Sequence, residues 1–161
     1  FICKKKAEAY RSLLNGNNSV EELDESETLI LTADTVVIAP TAAEQNDQEG
    51  KGVILGKPRD AEDAKRMLHL LSDRIHQVIT GVTVLTQERT ETIAVTSHVK
   101  FARLTDEEID YYVDNYLPFD KAGAYGIQEW IGLVAVEELR GSFFNVMGLP
   151  VQRLYNLLKK F

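Results

Sequence analysis

Residues 32–38, TADTVVI, constrain this chain more than any other stretch. An apolar run rich in β-branched side chains, suited to the middle of a sheet, is interrupted by one carboxylate and one hydroxyl, Asp34 and Thr35. An isolated carboxylate is expensive to take out of water unless a cation or a metal meets it. Any fold must therefore bring Asp34 to water, to a positive charge or to a metal, which makes it the first candidate for chemistry. The competing role for the pair is local, a cap on a turn between two short strands.

A chain of 161 residues, 44% hydrophobic and 27% charged, suits one domain with its own core. The formal charge of −7 argues against a general nucleic-acid binder, which carries a basic patch, so any polyanion must be held by a few placed cations. The single cysteine, Cys3, has no partner for an internal disulfide, and no apolar run approaches the roughly 18 residues of a membrane span. Cytoplasmic residence, with no membrane and no nucleic-acid polymer as partner, is the expectation. Phe1 is not an initiator Met, the apolar segment before Lys4-Lys5-Lys6 is too short for a signal peptide, and a helix over residues 2–14 opens without a cap. One domain over 1–161 that lacks an upstream segment is expected.

Residues 28–39 and 53–55 read as two strands of a hairpin around a long acidic loop, which would aim Asp34 and the Gly56-Lys57-Pro58 turn at a common region. Asp60 caps a helix whose apolar positions Ala64, Met67, Leu68 and Leu71 share one face. Residues 78–85 and 92–101 form an antiparallel pair with one wet face. Thr105 and Glu108 make a capping box for a helix through about residue 115, residues 131–139 read as a further strand, and Pro150 opens a terminal helix. The architecture is α/β, a mixed twisted sheet flanked by helices. Neither G-x-G-x-x-G nor G-x-x-x-x-G-K-[ST] occurs, so any phosphate site is built another way.

Three places carry chemistry-bearing residues. Lys57 sits in a Gly-Lys-Pro turn, where a rigid backbone would present it as a point charge to phosphate, or simply to solvent. DKAGAYGIQ, residues 120–128, packs two glycines, two alanines, a tyrosine and an amide between Phe119 and Trp130; Gln128 offers a donor and an acceptor suited to a nucleobase edge, and the alternative is a structural loop filled by its aromatics. GSFFNVMGLP, residues 141–150, holds Ser142 and Asn145 among apolar neighbours, where both would satisfy local backbone groups. His69, His76 and His98 have no metal-ligand spacing, and no nucleophile elbow occurs.

Five motifs, ADTVV at 33–37, LGKP at 55–58, HQVITGV at 76–82, DKAGAYGIQ and GSFFNVMGLP, closely resemble the Maf family of nucleotide pyrophosphatases in order and spacing, over the whole chain. KKKAEA at 4–9 is similar to the helix segment of that family in which a lysine, here Lys6, faces the active site. The resemblance implies a fold related to the inosine triphosphate pyrophosphatases, two lobes around a cleft, and hydrolysis of a nucleoside triphosphate to the monophosphate and pyrophosphate. Asp34 corresponds to the proton acceptor or a metal ligand, Thr35 and Gln128 to substrate-selecting residues, and Lys6 and Lys57 to triphosphate contacts. DKAGAYGIQ is similar to the branch acting on dTTP, UTP and some modified pyrimidine nucleotides. A divalent cation, Mg²⁺ or Mn²⁺, follows from the same resemblance and from the need to neutralise charge in phosphoanhydride hydrolysis. A homodimer is compatible with the family. The family's opening strand and Ser-x-Arg-Arg segment would lie before Phe1, so weak or no activity of this piece is expected. The alternative is a nucleotide-binding regulatory module of cell division, tied to septum formation, that binds without turnover.

Overall fold

The computed structural model describes residues 2–11, 28–40 and 52–161. In chain order the elements are α1 (Ile2–Ala9), β1 (Ile30–Pro40), β2 (Gly52–Leu55), α2 (Ala61–Leu71), β3 (Ile75–Leu85), β4 (Thr90–Phe101), α3 (Asp106–Tyr116), a 3₁₀ turn (Ala122–Ala124), α4 (Trp130–Ala135), β5 (Val136–Arg140), α5 (Phe143–Met147) and α6 (Val151–Leu158). The described strands form one open sheet in the order β2-β1-β3-β4-β5. All four pairings are antiparallel, and no parallel pair occurs among the described residues. The α/β arrangement of helices flanking a sheet is as the sequence indicates.

The local signals act as written. The Asp60 side chain accepts from the Asp63 N–H at 2.8 Å and starts α2, whose Ala64, Met67, Leu68 and Leu71 are buried. Both bonds of the Thr105/Glu108 capping box form at α3. The 28–39 strand is realised as Ile30–Pro40 and pairs with β2 as a hairpin, while the acidic loop between them lies outside the described residues. The opening helix ends at Ala9, and residues 12–14 of its expected span are likewise outside.

Residues 131–139 correct the expectation of a continuous strand. The chain forms α4 first and only then β5, which pairs with the end of β4. Ile131 and Ala135, four apart, are fully buried on one helical face, whereas Leu133 stands 82% exposed. An apolar run this short does not reveal its own period; which side chains meet the core decides it.

Alternation along β1 sends successive side chains to opposite faces of the sheet. Thr32 and Asp34 face α1, where the Thr32 hydroxyl donates to the Cys3 carbonyl at 2.7 Å. Val37 and Ala39 turn the other way, into a core that also contains Leu68, Leu71, Val78, Phe101, Ile109 and Tyr112. A smaller cluster joins Val82 and Val84 of β3 to Leu154 and Leu157 of α6.

Candidate functional site

β2 pairs with β1 only from Val37 to Pro40, whereas β3 runs along β1 from Ile30 to Ile38. Residues 30–36 of β1 thus keep one edge with no strand partner among the described residues. A pocket of about 670 Å³ opens at that edge, within the range usual for small-molecule sites. The pocket is lined from both faces of the strand. Asp34 meets it from the α1 side and Thr35 from the other.

Lys6, on the first helix, forms an ion pair with Asp34 through Oδ1. The Asp34 side chain is one-quarter exposed and that of Lys6 about half, so both remain in reach of solvent and of a charged ligand. The register places Asp34 opposite Gly81, and a Cβ built on Gly81 would stand 2.8 Å from Cys3 Sγ. α1 therefore lies close against the sheet there, with Cys3 buried and Lys6 one turn further on.

Lys57 reaches the same pocket from the turn after β2. The Gly123 N–H donates to the Gly56 carbonyl at 3.0 Å, docking the 120–128 loop on that turn. Gly123 sits at φ +71° with Val37 so close that a Cβ would lie 2.9 Å from its side chain, and Ala124 follows at φ +59°. A left-handed alanine is strained by roughly 1 kcal/mol or more, and the packed surroundings of Ala124 hold it there.

The loop is pinned on its far side by charges. Lys121 lies 2.8 Å from Asp120 and 3.2 Å from Glu129. Burial acts to lower the Lys121 pKa, but its bonds to the two carboxylates prevail and raise it; the hydrogen bond from Lys121 holds the Asp120 carboxyl below the usual carboxylate range. The Tyr112 hydroxyl donates to Glu129 and accepts the Gly126 N–H at 3.0 Å. Burial, reinforced by Glu129, pushes its pKa up, so it stays protonated. Tyr125, also buried, is bonded to His76 Nε2 at 2.8 Å. Burial drives the His76 pKa down to about 3, leaving a neutral imidazole under the loop.

All five residues singled out from the sequence, Lys6, Asp34, Thr35, Lys57 and Gln128, line this one pocket, although they come from four separate segments. Asp34 lies in mid-strand, so the turn-cap role is excluded. Gln128 is exposed at the rim. Sequence reasoning missed Lys121 and the α5 wall of Val146, Met147 and Gly148. The expectation that Asn145 satisfies local backbone groups is corrected: it is fully buried, and its side-chain amide donates to the distant Val78 carbonyl at 3.1 Å and Ser97 Oγ at 3.0 Å. A single asparagine inside an apolar run was the available signal.

No group of three His, Cys, Asp or Glu able to hold a metal occurs among the described residues. What the pocket offers is two carboxylates, Asp34 paired with Lys6 and Asp120 paired with Lys121, beside Lys57. That donor set fits a small, strongly hydrated divalent cation that completes its shell from water and ligand phosphates, rather than a metal held in a protein cage.

The sequence matches the family model described as "Maf-like protein" over residues 1–161. A protein of Porphyromonas gingivalis is 50% identical over 161 residues, all of this chain and 71% of its own length. Parabacteroides distasonis has a relative 47% identical over 161 residues, covering all of this chain and 72% of its own. One from Bacteroides fragilis is 49% identical over 160 residues, 99% of this chain and 72% of its own length. Each of the three is named dTTP/UTP pyrophosphatase.

Proposed function

The chain belongs to the Maf-like protein family, and from that premise we propose that it hydrolyses dTTP and UTP, together with modified pyrimidine nucleoside triphosphates, to the monophosphate and pyrophosphate. Convergence of a carboxylate, two lysines, a hydroxyl and an amide on one pocket is the observation that carries the reading. Water attacks the α-phosphorus and the bond to the β-phosphate oxygen breaks. With Lys6 on Oδ1 of Asp34, Oδ2 is the oxygen left to receive the proton of the attacking water. Lys6 and Lys57 neutralise the charge that moves onto the departing pyrophosphate.

Where Asp34 serves as a metal ligand instead of the base, it and phosphate oxygens would hold a divalent cation, Mg²⁺ or Mn²⁺, which would supply further charge neutralisation. Thr35 and Gln128, on the far side of the strand edge, select the base. Such a reaction belongs in the cytoplasm, where nucleoside triphosphates are found; no described helix is long and apolar enough to cross a membrane.

The test is pyrophosphate release from dTTP, UTP, GTP and 7-methyl-GTP with Mg²⁺ or Mn²⁺, using this chain beside a form extended upstream through a Ser-x-Arg-Arg segment. Release confined to dTTP and UTP is expected. No release from any nucleotide by either folded form would replace the enzyme with a nucleotide-binding regulatory module.

A further inference from the structure

Beneath Thr35 lies a short chain of hydroxyls whose direction is fixed by the atom that ends it. Thr35 Oγ1 and Thr80 Oγ1, on paired residues of β1 and β3, are 2.9 Å apart. Thr80 is fully buried, and its Oγ1 donates to the main-chain carbonyl of Asn145 at 3.0 Å. A carbonyl only accepts, so the one Thr80 proton is committed to Asn145. The Thr35 proton then points down at Thr80.

Asn145 has no freedom to release this arrangement. Its N–H bonds to Ser142 Oγ at the start of α5, its side chain ties β3 to β4 through Val78 and Ser97, and its carbonyl also receives the Gly148 N–H at 3.0 Å. Reversing the chain would leave the Thr80 and Asn145 oxygens facing each other at 3.0 Å with no proton between them, inside a buried site where an unmade hydrogen bond is most expensive. Thr35 accordingly shows the pocket lone pairs alone. Gly148 keeps the approach open, since a Cβ there would sit in contact with Thr35 Oγ1, at 3.6 Å.

We infer that Thr80 is a positioning residue for base selection: by taking the Thr35 proton it makes Thr35 an obligate acceptor, which reads the N3–H of uracil and thymine and rejects the N3 lone pair of cytosine. This rests on the reading of dTTP and UTP as substrates. The two accepted bases share N3–H as the only donor of their ring edge, whereas cytosine presents an acceptor at that atom, so hydroxyl polarity separates them without any difference in size. A site built for one hydrogen-bond polarity discriminates strongly because the wrong base leaves its own groups unpaired.

The experiment compares kcat/KM for UTP, dTTP and CTP in the more active of the two forms named above, as wild type, Thr80→Val and Thr80→Ser. Valine keeps the volume of threonine but frees the Thr35 proton to turn toward the pocket. The UTP-to-CTP ratio should fall roughly 10-fold in Thr80→Val, return in Thr80→Ser, and leave the UTP-to-dTTP ratio unchanged. Wild type should also lose roughly 10-fold or more on N3-methyl-UTP relative to UTP, an arm that holds even where Thr80→Val does not fold. Equal losses on UTP and CTP in a folded Thr80→Val, or undiminished turnover of N3-methyl-UTP, would overturn the inference. Should wild type release pyrophosphate from nothing, the hydrolase reading fails separately, and the affinity ratios of UTP to CTP and to N3-methyl-UTP decide the polarity.

Discussion

Asp34 and Thr35 are chain neighbours that face two different environments. On the Asp34 side, one thin helix covers the strand, charge is met by charge, and the side chains keep contact with water. On the Thr35 side, the polar atoms beneath the strand are neutral and joined in a directed chain through Thr80 to Asn145, while the charges of Lys121, Asp120 and Glu129 stand on the loop beyond. A charged group near solvent can change partners cheaply, which suits groups that must accept a proton or follow a departing phosphate. A buried neutral network has one low-energy arrangement, which suits recognition. Because one pocket is lined by residues of both faces, one ligand can touch both.

The sharpest way to break the comparison is Asp34→Asn. Turnover should fall roughly 10³-fold with nucleotide binding retained, read as kcat against Kd, because the amide keeps the shape and loses the proton acceptor. Equal loss of binding would move Asp34 from chemistry to simple recognition.

Lys57→Ala probes a phosphate contact offered from the turn after β2. Removing a charge-assisted contact should cost roughly 10- to 100-fold in kcat/KM, equally for dTTP, UTP and CTP. A loss that depended on the base would erase the division of labour between the two faces.

The smallest effect tests whether the other face depends on neutrality. His76 titrates at about 3 when folded against 6.5 unfolded, so below pH 6.5 the unfolded chain binds the extra proton. Stability from this group is complete above 6.5 and declines by about 1.4 kcal/mol per pH unit as pH falls toward 3. His76→Gln should lack that slope in parallel urea titrations at pH 7.0 and 5.5. Identical pH dependence in the two proteins would show that His76 gains a partner for its charge.

Much of this was legible in the chain because the signals are local. Asp60 and Thr105 announce their helices by chemistry within one turn, and the interruption of an apolar strand by Asp34 marks the pocket edge. The switch from α4 to β5 was not legible, since Ile131 and Ala135 become a helical face only when the core is there to meet them. Lys121 was hidden for a related reason. Its neighbour in sequence, Asp120, suggests an ordinary surface pair, while its placement depends on Glu129 and, through it, on Tyr112 of a different helix. Thr80 was invisible as a functional residue because its meaning lies in the direction of a proton, which residue identity alone does not convey.

Gly81 has the part of a shim of zero thickness. It lies directly across from Asp34, and Cys3 rests over it at a spacing that leaves no room for one more carbon. Lys6 is carried on the same short helix, one turn beyond Cys3. The working distance between lysine and carboxylate thus leans on a residue with no side chain of its own, and the addition of a single methyl would force Cys3 to shift and loosen the seat of the helix that carries Lys6.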